Sequence, residues 1–207
     1  MKIVKITGKV ELLSGLHIGG GDDTMKIGGI DNSVIKHANG GDPYIPGSSL
    51  KGKMRSLLEW NIGVVGIGDG SPFHSKLLND PIFSDAKIKN DAENLLKLFG
   101  DKEGEYGITR ISVGDCNLSE DSKDMELSEA KYENTIDRQS GTAKHPRQSE
   151  RVPAGVSFDF DIRVKVLDED NEQELINMVK QGLTLVENDY LGGSGSRGYG
   201  RVQFKIN

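Results

Sequence analysis

Two stretches in which apolar and polar residues alternate constrain the fold of this chain more than any other feature. Between Val4 and Leu12, and again between Val156 and Val166, every second residue is apolar or glycine and the intervening residues are polar or charged. Successive side chains of a β-strand point to opposite faces of its sheet, so this alternation predicts two long, half-buried strands. The chain is therefore expected to contain a sheet that buries only one of its faces.

Shorter patterns supply the other elements. Apolar residues at helical spacing predict helices over about 48–60 and about 175–190, and Gly100 is expected to end a short helix over 92–99 at its C′ position. Residues 108–118 and 202–206 are predicted to be strands. The resulting order is strand, helix, strand, long insertion, strand, helix, strand. This is the βαββαβ order of a ferredoxin-like fold, the frame that RNA-recognition motifs also use.

This order predicts a single α+β domain over 1–207, with a modified, RRM-like ferredoxin core that carries long insertions. The connection 15–47 is rich in glycine and aspartate, and a loop of this length in a compact domain is usually functional or disordered. Residues 61–105 form an irregular and partly helical insertion. Residues 132–155 contain very few apolar side chains, so they are predicted to project from the core as a hairpin. The candidate binding cations of this hairpin are Arg138, Lys144 and Arg147.

The helix predicted from residue 48 presents a face suited to a polyanion. It follows a Pro-Gly turn, and Ser48 or Ser49 is expected to be its N-cap. Its apolar arc consists of Leu50, Met54, Leu57 and Leu58. Three cations flank this arc, with Lys51 and Arg55 on one side and Lys53 on the other. Gly52 points directly away without a side chain, so a polyanion can approach closely. An ordinary amphipathic helix with solvated lysines explains the pattern equally well.

A glycine-rich segment near the end of the chain has the spacing G-x-G-x-x-G. A dinucleotide-binding fingerprint follows a strand and opens a helix, whereas here a helix precedes the loop and a strand follows, so the context contradicts that function. What remains is a flexible turn whose N–H groups, with Arg201 nearby, are suited to cradling phosphates. Its candidate binding residues are Gly193, Ser194, Gly195, Ser196 and Arg197. A turn needed only for backbone geometry is the alternative.

Carboxylates and histidines gather in the connection 15–47. They are Asp31 in the sequence IGGIDN, Asp22 and Asp23 upstream of it, and His17 and His37. A carboxylate on an exposed loop near bound phosphate can orient a hydrated Mg²⁺ or accept a proton from a ribose 2′-hydroxyl, which makes Asp31 a candidate for catalysis and for metal binding. Taken alone, an aspartate near two glycines is usually a turn residue. The histidines are spaced too irregularly for a zinc motif.

Charge and cysteine content narrow the class of protein. The net charge of −6 argues against a non-specific nucleic-acid binder but is compatible with a local basic track, because the acids concentrate in 119–133 and 168–174. A lone Cys116 cannot form an intramolecular disulfide, which suits a reducing cytoplasm. No apolar run approaches the length of a membrane span, so no membrane partner is expected.

Five motifs in order resemble one known family. They are GLHIGG, IGGID, YIPGSSLKGKMRSLLE, YENTIDR and DYLGGSGSRGYGRVQF. Together they resemble the backbone subunit of type III-A (Csm) CRISPR effector complexes, a member of the RAMP superfamily. The resemblance runs nearly from end to end and is weakest over 61–105 and 117–130.

The resemblance implies a specific function. Such a subunit polymerises head to tail along a CRISPR guide RNA, contacts other subunits of the Csm complex, and cuts complementary target RNA with Mg²⁺ or another divalent cation. Asp31 matches the catalytic aspartate of the family. Residues 48–55 match its guide-binding helix, 192–200 its glycine-rich loop and about 132–151 its thumb, which displaces nucleotides at regular intervals. His74 lacks partnering cysteines ahead of Leu98-Phe99-Gly100, so no structural zinc is expected.

Two other functions stay open at this point. One is a stand-alone RAMP endoribonuclease that processes CRISPR precursor RNA, which would require His17 or His37 as an acid/base near the scissile phosphate. The other is a non-catalytic RNA-binding subunit in a complex where another protein cuts.

Overall fold

The structure is a computed structural model that describes residues 1–20 and 32–207. Its helices are α1 (Gly47–Ile62), α2 (Ala86–Phe99) and α3 (Glu172–Asn188). Its strands are β1 (Lys2–Leu12), β2 (Ile111–Val113), β3 (Asn117–Leu118), β4 (Glu129–Ile136), β5 (Ala143–Arg151), β6 (Ser157–Val166) and β7 (Val202–Ile206). Three short 3₁₀ turns lie between α1 and α2, where the sequence predicts irregular structure.

The two alternating stretches form the centre of the main sheet. β1 and β6 are antiparallel neighbours, with Ile6 opposite Ile162 and Val10 opposite Phe158. β7 pairs with the other edge of β1, and β2 pairs with the other edge of β6, which gives the order β2-β6-β1-β7. All of these pairs are antiparallel, as in a ferredoxin-like sheet, so the predicted fold class is confirmed.

One face of this sheet is buried under the helices. Leu50, Met54 and Leu58 of α1 are fully buried, and α3 contributes its own buried stripe of Leu175, Val179, Leu183 and Val186. Gly182 lets these two helices approach closely, because a Cβ atom there would lie 3.0 Å from the Met54 Cε atom. The apolar arcs predicted from the sequence therefore face one common core.

The other face of the sheet is polar. The outward positions of β1 and β6, two strands that the structure describes in full, hold charged side chains such as Lys5 and Arg163 and no aromatic residue. Arg163 donates to Asp161 on the same strand at 2.8 Å. RNA-recognition motifs stack bases on aromatic residues of this face. The outward faces of β1 and β6 therefore lack that base-stacking surface.

Three predicted details are wrong. The strand predicted over 108–118 is split into β2 and β3, because the backbone of Cys116 pairs with Ile45 instead, at 2.8 and 3.0 Å. Neither Ser48 nor Ser49 caps α1: the helix begins at Gly47, whose N–H is accepted by the Asp115 carboxylate at 2.8 Å. The second helix begins six residues before the predicted residue 92, at Ala86, because Asp85 caps it. Gly100 ends that helix with a φ of 98°, as predicted.

Cys116 is buried between the main sheet and the connection 15–47. Burial, with smaller contributions from Asp115 and Asp159, raises the pKa of its thiol to about 12. The thiol is therefore a packing group rather than a nucleophile. None of the helices in the described residues is long and apolar enough to cross a membrane.

Candidate nucleic-acid interface

A two-stranded hairpin stands apart from the main sheet. β4 and β5, over Glu129–Ile136 and Ala143–Arg151, form a two-stranded sheet of their own and lie where the polar stretch 132–155 predicts a projecting element. Arg138 and Arg147 are exposed on it and have no ion-pair partner among residues 1–20 and 32–207, whereas Lys144 pairs with Asp137. The hairpin therefore presents two exposed cations, Arg138 just after β4 and Arg147 within β5. Its role as a thumb that contacts RNA stays a prediction.

The base of the hairpin is joined to both ends of the connection that carries the aspartates. Leu16 pairs with Val152, with N···O distances of 2.8 and 2.9 Å. Gly19 pairs with Val34, so the segments 16–20 and 32–36 run side by side. Asn32 bridges to Ser149, and its carbonyl oxygen accepts the Glu150 N–H at 3.0 Å. The segments on either side of residues 21–31, which contain the three aspartates, are thus held at the hairpin.

A buried carboxylate completes this junction. Glu150 is 5% exposed, and its carboxylate accepts hydrogen bonds from the Val34 N–H at 2.8 Å, the Lys36 ammonium at 2.6 Å and the Ser128 hydroxyl at 2.7 Å. Burial by itself would raise the pKa of Glu150, but these three hydrogen bonds and the Lys36 charge outweigh it and keep the pKa below its usual value. The carboxylate is therefore ionised near neutral pH and fully engaged by its neighbours.

The glycine-rich loop packs against the same junction. Gly192 has a φ of 75°, and a Cβ atom there would lie 2.4 Å from the His17 carbonyl oxygen, so both conformation and space require glycine. The Gly193 N–H donates to that oxygen at 2.9 Å. The Arg197 side chain contacts Ser194 and pairs with Glu133 of the hairpin at 3.3 Å. Backbone geometry thus explains part of the glycine pattern, and RNA binding by Gly193 to Arg197 stays a prediction.

Tyr199 fastens this loop to the hairpin. Its ring is 1% exposed and lies beneath two hairpin cations, with the Lys131 ammonium 4.2 Å and the Arg151 guanidinium 5.1 Å from the ring centroid. Cation–π contacts of this kind contribute about 1 kcal/mol each. The glycine-rich loop and the hairpin base are therefore in direct contact.

The exposed side of α1 has the open backbone that the sequence predicts. Ser48 is exposed, and a Cβ atom on Gly52 would meet nothing within 4 Å. Lys51 lies partly exposed beside it, and burial, then the Arg55 charge, lowers its pKa. Lys53 is directed toward the glycine-rich loop: its ammonium lies 2.6 Å from the Asp189 carboxylate and 3.8 Å from the centroid of the Tyr190 ring. The backbone of Gly195 rests against that same ring, so α1 and the loop are adjacent.

Arg55 has a structural role that projection onto a helical wheel does not predict. Its guanidinium donates to the Glu59 carboxylate at 2.8 Å, the Phe73 carbonyl at 2.8 Å and the Gly100 carbonyl at 3.2 Å. Its side chain is 19% exposed. Arg55 therefore ties α1 to the insertion 61–105, and its predicted contact with RNA stays a prediction.

Comparison with known proteins identifies the family to which this chain belongs. The family description "RAMP superfamily" matches residues 9–203. The CRISPR system Cms endoribonuclease Csm3 of Enterococcus italicus is 40% identical over 210 residues, covering 98% of this chain and 90% of that protein. The Csm3 endoribonuclease of Streptococcus thermophilus is also 40% identical, covering 98% of this chain and 87% of the relative. The chain belongs to the Csm3 family of the RAMP superfamily. The family predicted from the sequence is thus confirmed.

Solved structures agree in fold. A chain of the type III-B Cmr-beta complex bound to cognate target RNA has a TM-score of 0.67 at 18% identity, with all of this chain and 60% of that chain covered. The crystal structure of Methanopyrus kandleri Csm3 has a TM-score of 0.64 at 23% identity, covering 99% of this chain and 75% of that one. Both matches support the ferredoxin-like core.

Within this Csm3-family chain, the predicted catalytic and metal-binding aspartate, Asp31, lies outside the described residues, as do Asp22 and Asp23. His17 lies at the junction, and its Nδ1 atom is 2.7 Å from the Glu150 carbonyl oxygen. A carbonyl oxygen only accepts a hydrogen bond, so Nδ1 carries a proton. Nε2 is therefore the ring nitrogen that remains for proton transfer. His37 instead stacks on Tyr44 and contacts Asn117, neither of which is a predicted site residue.

The described residues of this Csm3-family member contain no group of three His, Cys, Asp or Glu side chains able to hold a metal ion. His74 lies 3.9 Å from the Glu103 carboxylate. The expected lack of a structural zinc stays a prediction. Four residues of this region were not predicted from the sequence as site components, namely Lys131, Glu150, Tyr190 and Tyr199. Tyr190 and Tyr199 do lie within the motif DYLGGSGSRGYGRVQF, whereas Glu150 has the pattern of an ordinary surface acid.

Proposed function

We propose that this chain is a filament subunit that binds a CRISPR guide RNA and cuts complementary target RNA at regular intervals in a divalent-metal-dependent reaction. One observation carries the proposal: both ends of the connection that contains Asp31 meet the base of the hairpin, and its first end also contacts the glycine-rich loop. The segments that flank a candidate nuclease group are thereby joined to a projecting element and a candidate phosphate-binding loop. The similarity of nearly the whole chain to Csm3 endoribonucleases supports the same function.

The guide RNA would lie along α1 and the glycine-rich loop. Ser48, Lys51 and Gly52 provide an exposed surface with one cation and uncovered backbone. Tyr190 brings this surface next to Gly195 of the loop. Phosphate contacts of this kind set the position of the RNA without reading its sequence. Such a surface suits a protein that must accept any guide.

The target RNA would pass the hairpin. Arg138 and Arg147 on its exposed surface suit phosphate contact, and the hairpin would splay the target backbone into the in-line geometry that a regular duplex forbids. Neighbouring copies of the chain, head to tail, and other Csm subunits are the proposed protein partners, and the cytoplasm the proposed location. With a net charge of −6, such a filament pairs acidic and basic faces of adjacent copies.

The chemistry would centre on Asp31. Together with Asp22 and Asp23 it offers the oxygen donors that Mg²⁺ prefers, and the described residues contain no rival cluster. A bound divalent cation supplies charge stabilisation to phosphate oxygens. Asp31 would hold that cation or orient the attacking hydroxyl.

A metal-removal experiment tests this function. Purified complex containing this subunit is expected to cut matched target RNA into a regular ladder, to stop in EDTA, and to resume when Mg²⁺ is restored; a gel of labelled target measures this. Cutting that persists in EDTA and is lost in His17→Ala would instead favour the acid/base endoribonuclease. Full binding without any cutting would favour the non-catalytic subunit.

Two substitutions on α1 separate guide binding from folding. Lys51→Ala is expected to leave the melting temperature unchanged and to flatten the salt dependence of guide binding by up to about 0.7 in log–log slope, the loss of one single-strand phosphate contact. Arg55→Ala is expected to lower stability by about 2 kcal/mol, because it leaves Glu59 without its cation and two carbonyl groups without their donor. Thermal melts and filter binding at several salt concentrations measure both. A Lys51→Ala variant with parental affinity and slope would show that this face of α1 does not bind the guide.

A further inference from the structure

Glu150 is a buried charged residue that takes no part in the proposed RNA contacts. It lies one residue before the end of β5, in a hairpin whose other side chains are mostly exposed. An ionised carboxylate loses its hydration when buried, and the hydrogen bonds and ion pair that replace it often do no better than well-packed apolar side chains. A stabilising contribution to the hairpin alone is therefore a weak reason for a glutamate at this position.

The partners of Glu150 indicate a more specific role. Its backbone N–H donates to Asn32, its Oε2 atom accepts the N–H of Val34 at 2.8 Å, and its Oε1 atom accepts from Lys36 at 2.6 Å. One residue thus fixes three alternate positions of the segment 32–36. Asn32 is the covalent neighbour of Asp31, so the position of Asn32 limits where Asp31 can lie.

Glu150 also links this segment to the strand opposite it. Ser128, just before β4, donates its hydroxyl to the same carboxylate, and the Glu150 carbonyl faces His17. The segments before and after residues 21–31 and both sides of the hairpin base therefore meet at one residue, through its side chain and its backbone. These bonds connect the hairpin base directly to the segment 32–36.

We propose that Glu150 is a positioning residue for target cutting, which fixes the segment following Asp31 against the base of the hairpin. The inference rests on the proposed function, since it takes Asp31 as the group that cuts. Glu150 itself touches no RNA. It acts by keeping Asp31 aligned with the target that the hairpin holds.

Glu150→Gln tests this role with almost no change in size. A carboxylate offers one oxygen to Val34 and the other to Lys36 and Ser128, whereas an amide has a single oxygen and must turn its NH₂ group toward one of these donors. Glu187→Gln is the matched control, because the Glu187 carboxylate also accepts a backbone N–H, that of Phe204 at 2.6 Å, at the join of α3 and β7. The measurements are single-turnover cutting at saturating target, target affinity, melting temperature, and hydrogen exchange at the Val34 amide.

We expect Glu150→Gln to slow cutting by about tenfold to about a hundredfold, the range for lost positioning groups, with target affinity within about twofold of the parent. The Val34 amide should exchange faster, and Glu187→Gln should cut at the parental rate. If complexes with Glu150→Gln fail to assemble, Lys36→Met is the second variant, because it removes one of the three hydrogen bonds to the Glu150 carboxylate. The same measurements and the same expected results apply to it.

Two results would overturn the inference. One is a parental cutting rate in folded Glu150→Gln complexes, and the other is slowing in both variants in proportion to their loss of melting temperature. Failure of the proposed function gives a different pattern. In that case Asp31→Ala would still cut, while faster exchange at Val34 in Glu150→Gln would still report the contact itself.

Discussion

Complexes rebuilt with Asp31→Ala should assemble and bind guide RNA normally while their cutting of target RNA falls by about 10²–10⁴-fold, the contribution of a positioned acid/base or metal-binding group. Asp31 follows the glycine-rich sequence IGGI, and a carboxylate at such a position is expected to contribute little to packing. Its loss should be chemical rather than structural. Gel analysis of labelled target measures the effect, and guide retention and the melting temperature of the subunit serve as controls.

The neighbouring side chains provide the comparison. Asp22→Ala and Asp23→Ala should each slow cutting less than Asp31→Ala, since they are candidates for supporting the cation rather than for holding it. His17→Ala should also slow cutting only in part, because its ring is bonded to the Glu150 carbonyl and helps to order the junction. Cutting at every regular site by Asp31→Ala complexes would show that another residue is catalytic. Complete loss in His17→Ala alone would point to histidine acid/base chemistry.

The sequence predicts the core of this protein well because the core depends on local periodicity. The alternation in 156–166 correctly predicts which residues of β6 are buried. The apolar arc that includes Leu50 and Leu58 does the same for α1. Antiparallel pairing then follows from the order of the elements. The boundaries were less predictable, since they depend on distant partners: α1 begins at Gly47 because Asp115 accepts its N–H.

The candidate site was predictable only in part, for a physical reason. A motif identifies which side chains are polar and where they lie along the chain, but not which of them already have protein partners. Lys51 and Arg55 look equivalent on a helical wheel, yet Arg55 is committed to Glu59 and to carbonyl groups of the insertion. Glu150 looks like one more surface acid in a polar hairpin, and its partners Val34 and Lys36 lie more than a hundred residues earlier in the chain.

The second large effect is expected from a deletion that shortens the hairpin and leaves its base intact. Deletion of Asn134–Gln148 with a short Gly-Ser bridge removes the exposed tip and keeps Lys131, Glu150 and Arg151, which bind Tyr199, Val34 and Glu129. The removed span contains only Ile136 and Ala143 as aliphatic residues, and Ile136 is 56% exposed. Loop shortening at a surface changes stability modestly, so the variant should melt within about 4 °C of the parent, the shift that ~1 kcal/mol produces.

Cutting should respond very differently from stability. Without the tip, the target backbone is no longer held in in-line geometry, and a misplacement of about 1 Å is enough to slow a reaction by about a hundredfold, so the regular ladder of products should disappear. Arg138→Ala combined with Arg147→Ala keeps the hairpin and removes its two available cations, and it should weaken target binding while retaining the spacing of the ladder. A deletion variant that is unfolded by circular dichroism would show that the tip belongs to the core. A folded variant with an unchanged ladder would show that the removed segment is a passive loop, because the spacing of the cuts would then be set without it.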